Sequence, residues 1–206
     1  MINFTYLFIS LLSLLFAGCK SEKKPLETDC KIHLSNAKRY VSQFYNSNST
    51  SALNRAVAEL DSFLLCSPET ATSANLRITA LTLLEDYRSG QKYIETLNGE
   101  LLHPRYKKQM IYNYFRAKEH RHNSRVDSSE YFLKKAISAV DDYLKTNPTD
   151  EEAYLDMFTL KREIYPKQLI NDEIDVLRHK YPKRQVFFDG IREALWPKEK
   201  SARPEN

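Results

Sequence analysis

Residues 84–93 read Leu84-Glu85-Asp86-Tyr87-Arg88-Ser89-Gly90-Gln91-Lys92-Tyr93, and this decapeptide decides the fold. Its informative feature is one small residue, Gly90, three positions after Tyr87. Small residues also stand at Ala56 and Ala136, each followed after 12 residues by a proline, Pro68 and Pro148. Pro148 and Pro182 are then 34 residues apart. A small side chain lets the two helices of a hairpin approach closely, and a proline breaks the chain before the next hairpin begins. The pattern predicts a succession of helical hairpins.

The residues around it agree. Leu53, Val57, Leu60 and Leu64 repeat at helical spacing, as do Ile170, Ile174, Leu177 and Tyr181. Phe132, Ala136, Ala139, Val140, Tyr143 and Leu144 form a further stripe, and Phe187, Ile191, Ala194 and Leu195 the last. Each stripe covers one face, so each helix must bury that face against a neighbour. Turns are expected at Asn46–Ser51, at Ser67-Pro68-Glu69 and at Asn147-Pro148-Thr149, where Thr149 and Glu152 have the spacing of a capping box. His120–Asp127 reads as a longer polar loop, and Pro197 stops the final helix. The whole chain holds only 4 glycines. β-Hairpins and phosphate-cradling loops depend on residues that tolerate positive φ, so both are disfavoured.

The decapeptide resembles the central signature of the tetratricopeptide family, in which Leu-Gly-Asp-Tyr is followed by a small residue. Glu85 stands here for the usual Gly, and Gly90 for the usual Ala. The resemblance implies an all-α chain of antiparallel hairpins stacked as a short solenoid. Its units would be 32–68, 69–104, 105–148 and 149–182, with 183–196 as a C-terminal capping helix. The fourth unit departs from the pattern: Pro166 replaces its turn residues, and no alanine occupies the small-residue position. In that family the first helix of each hairpin lines a groove for a protein or peptide. The matching positions here are Tyr45, Asn75, Thr79, Tyr106, Gln109, Asn113 and Arg116. Asparagine amides can bond an extended peptide backbone, while Tyr and Arg supply area and charge.

The N-terminus carries a different message. Tyr6–Ala17 is a mostly apolar run too short to span a bilayer comfortably, and it ends in Phe16-Ala17-Gly18-Cys19. This resembles the bacterial lipobox, although no Lys or Arg precedes it and Phe16 stands where Leu is more usual. The expectation is a signal peptide over 1–18, acylation of Cys19, a charged tether to residue 31, the helical domain over 32–196 and a disordered tail over 197–206. Lys20, rather than Asp, follows the cysteine, which points to the outer membrane of a bacterial envelope.

Little else points to chemistry. His120 and His122 are not spaced as a zinc motif, and Arg121 and Arg125 flank them. The adjacent acids Asp141-Asp142 and Glu151-Glu152 point away from each other on a helix. No nucleophile elbow, zincin helix or phosphate loop occurs, so no enzyme, metal or cofactor is expected. The net charge of +4 is spread along the helices rather than gathered in a stripe, against a nucleic-acid partner. Cys30 and Cys66 both lie 18 residues from Asn48, where the first hairpin reverses, so they fall side by side and predict a disulfide. The expected function is a membrane-anchored interaction scaffold. The alternatives are an accessory lipoprotein of outer-membrane β-barrel assembly, and a lipoprotein that binds a small molecule or glycan or inhibits a toxin.

Overall fold

The structure is a computed structural model that describes residues 27–197. The signal segment, Cys19, most of the tether and the tail beyond Pro197 lie outside those residues. Among the described residues the chain is all-helical. The helices are α1 (Glu27–Ser47), α2 (Thr50–Cys66), α3 (Ala71–Leu83), α4 (Tyr87–Thr96), α5 (Tyr106–His122), α6 (Val126–Thr146), α7 (Glu151–Lys161), α8 (Lys167–Lys180) and α9 (Gln185–Leu195). Short 3₁₀ turns occupy Gly99–Leu101 and Pro182–Arg184. No described helix is long and apolar enough to cross a membrane.

Consecutive helices pack together except α7 and α8, and each core joins one hairpin to the next. Val41, Leu53, Ala56 and Ala80 are buried among α1, α2 and α3. Ala74, Leu81, Ile94, Leu97, Leu102 and Phe115 do the same for α3, α4 and α5. The largest core runs from Tyr106 and Ala117 of α5 through α6, α7 and α8 to Phe188, Ile191 and Leu195 of α9. The small residues sit at closely packed points, with Ala56 and Ala136 fully buried. Gly90 is tighter still, since a Cβ there would stand 2.7 Å from the Phe115 ring.

The helix ends explain several boundaries. Thr70 and Ser73 cap α3 reciprocally, and Asp86 accepts the Ser89 N–H at the start of α4. At α7 the cap is Asp150, not Thr149: its carboxylate accepts the Ala153 N–H at 3.0 Å and the Tyr143 hydroxyl at 2.8 Å. The expected tether to residue 31 is shorter, because α1 already begins at Glu27. No glycine or proline lies between Leu26 and Ser47 to stop the helix extending back. The expected loop at His120–Asp127 is likewise a tight turn. There Ser124 adopts a φ of 59°, with the Arg125 N–H bonded to the His120 carbonyl and the Ser124 N–H to that of Arg121. This paired closure ends a helix in little more than one residue, so the third hairpin is long in its helices rather than in its loop.

Glu85 closes α3 in the same way at a φ of 56°, with the Asp86 N–H on the Leu81 carbonyl and its own on Thr82. A residue with a Cβ is strained in this left-handed conformation. Glu85→Gly is therefore expected to stabilise the protein by roughly 0.5–1 kcal/mol, the relieved strain exceeding glycine's entropy cost. Thermal unfolding followed by circular dichroism measures it, and a lowered midpoint would contradict a strained turn.

Candidate functional site

The seven residues expected to line one groove range from buried to exposed. On α3, Asn75 is exposed and Thr79 half-buried, its hydroxyl donating to the Asn75 carbonyl at 2.9 Å. Tyr45 is 63% exposed near the end of α1. On α5 the four residues differ in burial. Tyr106 is 6% exposed, donates its hydroxyl to Asp156 of α7 at 2.8 Å, and lies 4.8 Å from the Tyr143 ring. Asn113 is also buried, and its amide donates to the Gln109 carbonyl at 2.8 Å. The Arg116 guanidinium lies 3.9 Å over the Phe132 ring of α6. Gln109 is exposed beside Tyr112 in a hollow between α4 and α5.

Each residue advances about 100° around an α-helix, so Tyr106, Gln109, Asn113 and Arg116 fall within about 80° of one another on α5, with Lys107, Ile111, Tyr114 and Lys118 on the opposite side. The shared face is partly covered by α6 and α7, through Arg116 over Phe132 and Tyr106 on Asp156. On the other side Lys118 pairs with Glu163 at 3.0 Å and Lys107 with Glu152. The α4–α5 connection runs over 97–105 and contains a 3₁₀ turn, whereas the α2–α3 connection spans only 67–70. His120, expected in a loop, is part of α5 and stacks on Phe132 with ring centroids 5.2 Å apart. Among the described residues no group of three or more His, Cys, Asp or Glu is placed to hold a metal ion.

A concavity lies between α6 and α8, with α7 as its floor. Two adjoining cavities of about 590 and 530 Å³ share Ile137, Asp141, Tyr165 and Glu173. Its origin is a departure from the small-residue pattern. The fourth hairpin carries Ile170, 1% exposed, 34 residues after Ala136. With a branched side chain there, the α7 and α8 backbones stay apart, while α1–α2 and α5–α6 run close alongside one another. The space left over is the groove.

Its surface is both apolar and charged. Leu169 and Val176, two turns apart on α8, are 52% and 65% exposed beside Ile137 and Tyr165. Lys161 gives its close contact, 2.6 Å, to Glu173. That leaves Asp141 without an ion pair among the described residues. Burial holds its carboxyl above the ordinary range, opposed by Lys161 and reinforced by Glu173 and Asp142. A half-buried carboxylate with no close partner favours an incoming cation, because pairing recovers part of its lost hydration. Asp141 and Asp142, adjacent on α6, point apart as expected, and only Asp141 faces into both cavities. The usable signal was Ile170 in the small-residue position, together with Leu169 and Val176 lying off the buried stripe of their helix. No known family, curated protein or solved structure matches this chain, so the groove is judged on its geometry alone.

Proposed function

We propose that this chain is a lipoprotein of a bacterial envelope, acylated at Cys19, whose helical hairpins form a short tetratricopeptide-like interaction scaffold. The α6–α8 groove seats a segment of a partner protein. The observation that carries this reading is the pair of exposed aliphatic side chains, Leu169 and Val176, flanking an open groove with an unpaired carboxylate at its centre. Exposed apolar surface beside a concavity, rimmed by charge, is the usual form of a protein-docking site. The partner segment presents apolar side chains to α8 and a Lys or Arg toward Asp141. The Phe16-Ala17-Gly18-Cys19 motif supports the anchor and the outer-membrane location, and the 34-residue spacing supports the family likeness.

The test compares the detergent-solubilised full chain with a Leu169→Glu, Val176→Glu variant, by affinity capture and quantitative mass spectrometry. Both residues are exposed, so helicity and melting are expected to persist. A stoichiometric partner of the parent chain is expected to fall by about tenfold or more, corresponding to 1.4 kcal/mol or more of lost contact energy. A partner retained equally by both proteins removes the groove from the proposal. In parallel, the Cys19→Ala chain is expected to incorporate no labelled palmitate, and labelling of that chain would remove the anchor.

A further inference from the structure

We infer that the end of the molecule formed by the start of α1 and the end of α2 rests on the bilayer that holds the Cys19 acyl chains. This rests on the anchor proposed above and adds an orientation to it. The Cys30–Cys66 bridge holds these two helix ends together, with Cα atoms 5.8 Å apart. Within two residues of the bridge, beside the exposed Lys31, three aliphatic side chains face solvent: Ile32 is 56% exposed, Leu64 37% and Leu65 89%. Leu65 is the most exposed large apolar side chain among those described, and it lies one residue from the bridge.

The length of chain leading to this end makes the bilayer its natural cover. Helix α1 begins at Glu27, eight residues after Cys19. Fully extended, eight residues reach at most about 28 Å. The 21-residue α1 is itself about 31 Å long, so its opposite end, at the Asn48 turn, extends beyond that reach if the helix stands upright. The start of α1 thus stays within about 28 Å of the membrane, and upright seating on this end is the arrangement that covers its exposed aliphatic side chains. The intervening segment Lys20-Ser21-Glu22-Lys23-Lys24 carries three Lys against one Glu, which favours an anionic lipid surface over water. Leu65, Leu64 and Ile32 then enter the interfacial layer, as exposed aliphatic side chains do beside a lipid anchor.

The experiment uses the full acylated chain in vesicles of phosphatidylethanolamine and phosphatidylglycerol, some bearing brominated acyl chains. Trp196 is the sole tryptophan, so a Trp196→Phe background allows a single reporter. One chain carries Leu65→Trp and the other Val186→Trp, at an 87% exposed position of α9. Circular dichroism checks that both retain their helices, and labelled palmitate checks Cys19. The Leu65→Trp chain is expected to shift its emission to shorter wavelength and lose most of its intensity to brominated lipid, while the Val186→Trp chain does neither. An acylated Leu65→Trp chain that is unquenched overturns the orientation and leaves the anchor standing; cover by a second copy or by the tether would give that result. Equal quenching of both reporters also overturns it. Failure to acylate Cys19 removes the anchor and the orientation together.

Discussion

Replacing Cys30 and Cys66 together by alanine is expected to lower the unfolding free energy by on the order of 4 kcal/mol. The bridge spans a sequence separation of 36 residues. Closing a loop of that size removes conformations from the denatured chain far more than from the folded one, which is the origin of the figure. The loss matters more here than it would at the centre of the molecule. The buried side chains of the first hairpin are smaller than those beneath α6 and α7, Ala37, Ala52 and Ala56 among them. Cys30 is itself 3% exposed, so its removal also takes away buried volume. The first hairpin is therefore expected to open before the rest, with amides of α1 and α2 exchanging ahead of those of α6 and α7. Urea unfolding of the oxidised parent and the double variant measures the difference. Thiol counting on the denatured, unreduced chain is expected to find neither cysteine free. An unchanged midpoint, or two free thiols besides Cys19, would leave the hairpin dependent on packing alone.

How far the residues announced this structure depends on which property is asked for. The helical class followed from apolar stripes and from scarce glycine, both of them local and additive along the chain. Pro68, Pro104, Pro148 and Pro182 fall in the connections between helices for the same local reason, since proline cannot continue a helix. Which side of a helix meets a neighbour was less legible. The face of α5 that carries Gln109, Asn113 and Arg116 is recognisable from its spacing, but its partial cover by neighbouring helices, with Asn113 buried and Arg116 over Phe132, depends on contacts distant in sequence. The polar run at His120–Asp127 misled for another reason: Ser124 enters the left-handed region without being glycine. The groove was hidden in a missing small residue. Ile170 looks like a weakened repeat in sequence, and in three dimensions it is buried where α7 and α8 lie apart.

The packing between the second and third hairpins is expected to show the second large effect, at Phe115. Its ring is fully buried and its side chain joins the core of α3, α4 and α5. Phe115→Ala is expected to cost about 3–5 kcal/mol, from lost burial and from the cavity left behind. The more discriminating measurement concerns the residue beneath that ring. In the parent chain, Gly90→Ala would place a methyl group 2.7 Å from two Phe115 ring carbons. Overpacking of this kind costs about 1–3 kcal/mol. Alanine recovers about 1 kcal/mol of it by being the better helix former, so the net change is a destabilisation of about 1 kcal/mol. In a Phe115→Leu background the ring edge is gone, and only the helix-forming gain remains. The same Gly90→Ala change is then expected to stabilise by up to about 1 kcal/mol, a reversal of sign. Urea unfolding of the four chains gives both differences, and an equal cost in both backgrounds would show that the ring is not what excludes a side chain at position 90. Because α5 is seated through this contact and carries α7 with it through the Lys118–Glu163 and Tyr106–Asp156 links, the same four chains also probe how firmly the floor of the α6–α8 groove is held.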